Sequence, residues 1–155
     1  MLFRSGVFML TCFDVADYFL SRCDEDSGDT ISNLKLQKLV YYAQGFSLAL
    51  LGEPLFQNKM EAWMHGPVVP ELYRRYKQYG NGAIPSPESF DAEKFSEEQL
   101  ELLEEVWDVF GQFSAWKLRN MTHEESPWRS NYIEGVGGSE ISSKEMAEYF
   151  ATRIN

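Results

Sequence analysis

From Ile31 to Tyr79 the chain reads ISNLKLQKLVYYAQGFSLALLGEPLFQNKMEAWMHGPVVPELYRRYKQY, and the first half of this stretch has the spacing of one long helix. Leu36, Leu39, Val40, Ala43, Phe46 and Leu50 recur at threes and fours, which stacks them on one helical face and predicts them as core. Ser32 stands just before the periodic run, where its hydroxyl can cap free amides. Gly52 and Pro54 then end the run, the first by accepting a left-handed backbone and the second by blocking helical continuation. A helix is therefore predicted over Asn33 to about Leu51. Lys35, Lys38 and Tyr42 fall on a different face, one the core does not require.

After the stop, Phe56 to Met64 has mixed spacing and runs into His65-Gly66-Pro67. Pro67 disfavours helical backbone at Gly66, so an extended segment is predicted, with Trp63 anchoring it against the core. Helical spacing resumes from Val68 to Tyr79, with Leu72, Tyr76 and Tyr79 inward and Arg74, Arg75 and Lys77 outward. Gly80 to Lys94 has little periodicity, and a connection of roughly 15 residues is near the upper limit of ordinary loops. Three N-terminal signatures fix other helix starts: Thr11 with Asp14, Ser96 with Gln99, and Ser142 with Glu145. The first opens a helix ending near Cys23. The second opens a helix with Leu100, Leu103, Trp107 and Phe110 on one stripe; Glu97, Glu101, Glu104 and Asp108 lie opposite, with Glu98 and Glu105 alongside. That acidic stripe reads as a solvated face, with a docking face for a basic partner as the sharper alternative. Gly111 breaks this helix, and Ser114 caps a short one, Ala115 to about Met121, that delivers Thr122 to Trp128 to a turn. Gly135 to Gly138 reads as a flexible link before a last helix, about Ser143 to Arg153, that packs through Met146, Ala147, Phe150 and Ile154. The fold class is mainly α: a compact single-domain bundle of about six helices with a small β element near residues 56–64.

A chain of 155 residues with 44% apolar and 15% aromatic content is long and apolar enough to fill one core. Its net charge of −10 opposes general binding to phosphate backbones, so nucleic acid is disfavoured as a partner and a basic protein surface is favoured. Cys12 and Cys23, placed on one helix, would stand roughly 16 Å apart, beyond disulfide reach, as expected of reduced thiols in the cytoplasm. The acidic run Asp24-Glu25-Asp26-Ser27-Gly28-Asp29 lacks the spacing of a calcium loop and reads as a solvated turn. Residues 1–10 read as an N-terminal extension, too short to span a membrane and without a clear cleavage site, and Met9 is an alternative start.

Candidate chemistry centres on His65, His123 and Glu124, which invite an acid–base or metal reading. Neither a completed ligand set nor a nucleophile with its base, phosphate loop or dinucleotide fingerprint accompanies them, so no cofactor, metal or catalytic residue is expected. A small hydrolase or metal-dependent enzyme using His65 and His123 is retained as an alternative. Tyr73-Arg74-Arg75-Tyr76-Lys77-Gln78-Tyr79 is the one concentrated basic and aromatic cluster, of the residue types that dominate protein interfaces.

Leu36-Gln37-Lys38-Leu39-Val40-Tyr41-Tyr42-Ala43-Gln44-Gly45-Phe46, then Glu61-Ala62-Trp63 with His65-Gly66-Pro67-Val68-Val69-Pro70 and Tyr73-Arg74, then Thr122-His123-Glu124 with Pro127-Trp128, together resemble the Panacea domain. That family, also called SocA-like or GepA-like, comprises bacterial and prophage proteins that neutralise toxin proteins. The resemblance runs from about Met9 to Ile154 and implies a Panacea-like domain over residues 11–155. It also implies a cytoplasmic antitoxin of a toxin–antitoxin system, without catalytic activity, that binds a cognate toxin protein directly, with self-association as a further option. An adaptor that delivers its partner to a protease is a second alternative. The expected partner-binding residues are Lys38, Tyr42, Tyr73, Arg74, Tyr76 and Lys77. Trp63, His65, Gly66, Pro67, Thr122, His123, Pro127 and Trp128 are expected to hold the motif turns.

Overall fold

A computed structural model describes residues 9–23 and 28–154; the expected extension over residues 1–8 and most of the acidic turn, residues 24–27, lie outside the described residues. Each of the three N-terminal signatures forms a complete capping box. Asp14 accepts from the Thr11 amide at 2.9 Å, Gln99 accepts from the Ser96 amide at 2.9 Å, and Glu145 accepts from the Ser142 amide at 3.2 Å, each against a reciprocal side-chain bond. Such caps each contribute about 1 kcal/mol and start their helices without tertiary help. They open α1 (Cys12–Ser21), α4 (Glu97–Phe110) and α7 (Ser143–Ala151). Between and after these come α2 (Asn33–Leu50), α3 (Pro70–Tyr76) continued by a 3-10 turn (Lys77–Tyr79), α5 (Ala115–His123) and the single-turn α6 (Ser126–Arg129). The described residues thus form seven α-helices where about six were expected; the addition is α6, started by Pro127 in its first turn.

The expected β element is a three-stranded antiparallel sheet of order β2-β1-β3. The central β1 (Met60–Trp63) turns through Met64 and His65 into β2 (Gly66–Val68), with Trp63 opposite Gly66. On its other edge it pairs with β3 (Ser139–Ile141), Met60 facing Ile141. The strand is shorter than the predicted Phe56 to Met64. β3 follows directly on the glycines read as a flexible link.

The helix α2 runs through the middle of the molecule, packed against α1, α4, α5, α7 and β2. Leu36, Leu39, Val40 and Ala43 are fully buried as predicted, and Phe46 is partly so. Leu50 departs from its expectation: at 51% exposure it sits at the end of α2, beyond the core. Gly45 lets α7 approach α2 closely, because a Cβ there would overlap the Phe150 ring. On α4, Leu102 and Val106 are buried beside Leu103 and Phe110, whereas Leu100 and Trp107 are only partly covered. The acids of α4 face solvent.

Candidate interaction face and the polar frame beneath it

Most of α2 is covered by its neighbours, so its buried polar residues must find partners inside the protein. Gln37 Oε1 accepts from the Val69 amide at 2.8 Å, holding the junction between β2 and α3. Lys38 Nζ donates to the Pro67 carbonyl at 3.0 Å. Gln44 Oε1 accepts from the Leu55 amide at 2.8 Å while its Nε2 donates to the Phe56 carbonyl at 2.9 Å, fixing the return from α2. Tyr41 and Tyr42 donate their hydroxyls to the two carboxylate oxygens of Glu125, at 2.8 and 2.7 Å, and Arg153 lies 3.5 Å from the same carboxylate. Lys38 and Tyr42 were expected on a face open to a partner. Both are instead fully buried, and the reason is the central position of α2.

Burial sets the ionisation of this frame. Loss of solvation, then the neighbouring Arg119 charge, lowers the Lys38 ammonium to about 7. Burial raises Glu125 above the ordinary carboxylate range, against the opposing pull of the two tyrosine hydroxyls and Arg153. Both tyrosine hydroxyls are pushed upward, first by burial and then by the Glu125 charge, so they remain donors.

The motif turns close over Lys38. Gly66 has φ +114°, and a Cβ there would stand 2.6 Å from Lys38 Cε and 2.9 Å from Thr122 Oγ1, so only glycine fits. Thr122 is buried with its hydroxyl donating to the Arg119 carbonyl at 2.8 Å. Trp128 Nε1 donates to the Trp63 carbonyl at 2.7 Å, tying α6 to the β hairpin. The His123 ring stacks on Trp128 at 3.8 Å, and Trp128 stacks in turn on Tyr132 at 4.7 Å. Burial and then the charges of Arg119 and Lys38 lower the His123 pKa to about 4. Pro127 is buried at the start of α6. Glu124, the acid considered for chemistry, is exposed, and its neighbour Glu125 is the buried one.

On this frame sits an exposed face of aromatic, sulfur and arginine side chains. Met64 is 61% and Trp116 54% exposed. The Arg119 guanidinium lies 4.4 Å from the Trp116 ring centre and its Nε donates to His65 Nδ1 at 3.2 Å, while the His65 and Trp116 rings are 5.7 Å apart. Burial and the Arg119 charge lower the His65 pKa, which keeps Nδ1 free to accept. Trp63 packs edge-on against Tyr73 at 5.0 Å and so joins α3 to the face. Beyond Tyr73, Arg74 and Lys77 are exposed; Tyr76 is half-buried, its ring 6.4 Å from Tyr79. On the other side of Met64 an open groove of about 530 Å³ is lined by Trp63, Tyr132 and Val136.

Sequence reasoning did not single out Glu125, Trp116 or Arg119. For Glu125 a signal was present: two adjacent tyrosines inside an apolar helix need an acceptor for each hydroxyl. Trp116 and Arg119 carried none, since a short polar helix gives no hint of which of its side chains will meet a distant hairpin.

A model of the family described as Antitoxin SocA-like, Panacea domain, matches residues 36–129, more than half of the chain. The chain belongs to this family. The matched span is shorter than the resemblance implies; it holds the polar frame from Gln37 to Glu125 and all of the exposed face as far as Trp128, and leaves out α1, β3 and α7. Antitoxin SocA of Caulobacter vibrioides (strain NA1000 / CB15N) is 50% identical over 50 residues, 32% of this chain. The matched stretch covers 27% of that relative's length. No solved structure matches. Membership supports an antitoxin role for this Panacea domain, and among the described residues no helix is long and apolar enough to cross a membrane.

Proposed function

We propose that this Panacea domain is a cytoplasmic antitoxin that neutralises a cognate toxin protein by binding it directly and covering part of its surface. The observation that carries this is the face formed by Met64, His65, Trp116 and Arg119, continued through Trp63 and Tyr73 to Arg74 and Lys77. Tryptophan, tyrosine and arginine supply most of the energy at protein interfaces, and a rigid backing lowers the entropy lost on binding. Here the backing is Lys38, bonded to the Pro67 carbonyl beneath the hairpin, and Trp128, bonded to the Trp63 carbonyl. Lys38, expected at the interface, supports it from below through the Pro67 carbonyl, and Tyr42, also expected there, is buried against Phe110 and Glu125. Tyr73, Arg74 and Lys77 keep the role in partner contact expected of them, and Tyr76 contributes only its exposed edge.

Co-expression with the protein encoded by the adjacent gene, where that protein is toxic alone, tests this. Wild type restores growth, whereas Trp116→Ser, Arg119→Glu and the pair Arg74→Glu/Lys77→Glu lose rescue while accumulating as folded protein. With purified components, toxin activity falls in proportion to added protein and ends at a fixed ratio. Loss of toxin activity at far less than one equivalent would point instead to catalytic inactivation, and full rescue by all three variants would remove this face from the interface.

A further inference from the structure

A second surface lies at the far end of α2. Phe46 and Leu50 of α2, Leu102, Val106, Val109 and Phe110 of α4, and Ile154 enclose an apolar groove of about 230 Å³ with Glu105 and Arg153 at its rims. Its floor is rigid, because Phe110 stacks on Tyr42 at 4.0 Å and lies 6.1 Å from Phe46. Its lips are apolar and open: Leu50 is 51% and Val109 49% exposed. The volume falls below the roughly 300–1,000 Å³ typical of small-molecule sites, so it suits a few side chains of a protein partner.

Charge decides which kind of partner. Glu98, Leu102, Glu105 and Val109 follow one another at steps of four, three and four, so one ridge of α4 alternates carboxylates with aliphatic side chains. Glu101 lies beside Glu105 on the exposed side. Among the described residues no base forms an ion pair with Glu98, Glu101 or Glu105. Arg153, across the groove, is engaged by Glu125 at 3.5 Å and by the Tyr149 hydroxyl at 2.9 Å. The groove is thus apolar at its centre and negative along one rim, in a chain whose net charge is −10. We propose that it receives an amphipathic helix of a partner protein, with aliphatic residues entering between Leu50 and Val109 and lysine or arginine residues along the flank that meets Glu98, Glu101 and Glu105. This is the helix-in-groove mode of recognition, with complementary charge setting the register. It is independent of the Trp116 face and adds a second interface to the molecule.

The test uses two fluorescently labelled amphipathic peptides of about 18 residues, one of leucine and lysine and one of leucine and glutamate, in anisotropy titrations with the full chain. The leucine–lysine peptide binds and the leucine–glutamate peptide does not. Leu50→Ser/Val109→Ser, which leaves charge unchanged, weakens binding about tenfold, as loss of two central apolar contacts should. Glu101→Gln/Glu105→Gln weakens it by a smaller factor and flattens its salt dependence. Trp116→Ser leaves the affinity unchanged, which separates this proposal from that for the toxin-binding face. All substituted positions are exposed or half-exposed, and circular dichroism with thermal melting confirms each fold. The proposal is overturned if neither peptide binds, if both bind equally, or if Leu50→Ser/Val109→Ser binds as tightly as wild type. It is equally overturned if the chain dimerises in sedimentation and the same pair abolishes the dimer, since a second copy then occupies the groove.

Discussion

Replacing Tyr42 by phenylalanine isolates one bond of the polar frame. The ring survives, and with it the stacking on Phe110 at 4.0 Å, so the change removes only the hydroxyl that donates to Glu125 at 2.7 Å. A hydrogen bond to a charged acceptor contributes about 1.5–3 kcal/mol, and the buried carboxylate cannot recruit bulk water in exchange. The expected loss is therefore about 2 kcal/mol, equivalent to a fall of roughly 4–8 °C in Tm for a chain of this size. Urea unfolding followed by tryptophan fluorescence measures it. The pH dependence gives a second signature. Because the folded-state pKa of Glu125 is raised above 4.5, the folded protein holds this proton more tightly than the unfolded chain. Stability from this group therefore falls as pH rises from the ordinary glutamate value through the raised one, and is level above it. Losing the Tyr42 donor raises the folded pKa further and extends that window upward. The difference between variant and wild type should consequently grow from about pH 4.5 toward neutrality. A cost under about 0.5 kcal/mol, or a difference that shrinks as pH rises, would refute the claim that Tyr42 stabilises an ionised Glu125.

Other expectations follow from the same frame. Lys38, lowered to about 7, should make stability rise as pH increases from about 7 to 10.5, since the unfolded chain there binds the extra proton; Lys38→Met should abolish that rise in pH-dependent unfolding. Gly66→Ala should cost about 3 kcal/mol or prevent folding, because φ +114° and contact with Lys38 Cε and Thr122 Oγ1 both exclude a Cβ. Trp128→Phe should cost about 1–2 kcal/mol in urea unfolding, through loss of the bond to the Trp63 carbonyl. Glu98→Lys, on an exposed helical face, should change stability by less than about 0.5 kcal/mol.

Local chemistry made much of this fold legible. The capping boxes at Thr11, Ser96 and Ser142 need only residues three apart, and Gly52 with Pro54 marks a helix end by backbone preference alone. What depended on distant partners was not legible. The paired tyrosines of α2 signal a need for acceptors, but nothing within α2 tells that Glu125 supplies them, or that Val69, Pro67 and Leu55 satisfy Gln37, Lys38 and Gln44 from other segments. β3 was missed for a related reason: three residues carry no periodicity, and their pairing with Met60 to Ala62 closes a loop of nearly eighty residues. Leu50 fits the core period of α2, yet it stands at the helix end on the lip of an open groove beside α4, 51% exposed. At the candidate face, Arg74 is exposed, as its outward position in the helical period predicts, whereas Trp63, expected to anchor its segment against the core, packs edge-on against Tyr73. Trp116 and Arg119 became visible only when α5 was laid beside the hairpin.

Titration calorimetry of the purified chain against its cognate toxin separates the face from the frame. If the face binds the toxin, Trp116→Ser and Arg119→Glu each weaken binding by about tenfold or more at unchanged melting temperature, while Tyr42→Phe lowers the melting temperature and leaves the Kd of the folded protein unaltered. Unchanged affinity in both face variants, with affinity lost in Tyr42→Phe, would contradict binding through the face.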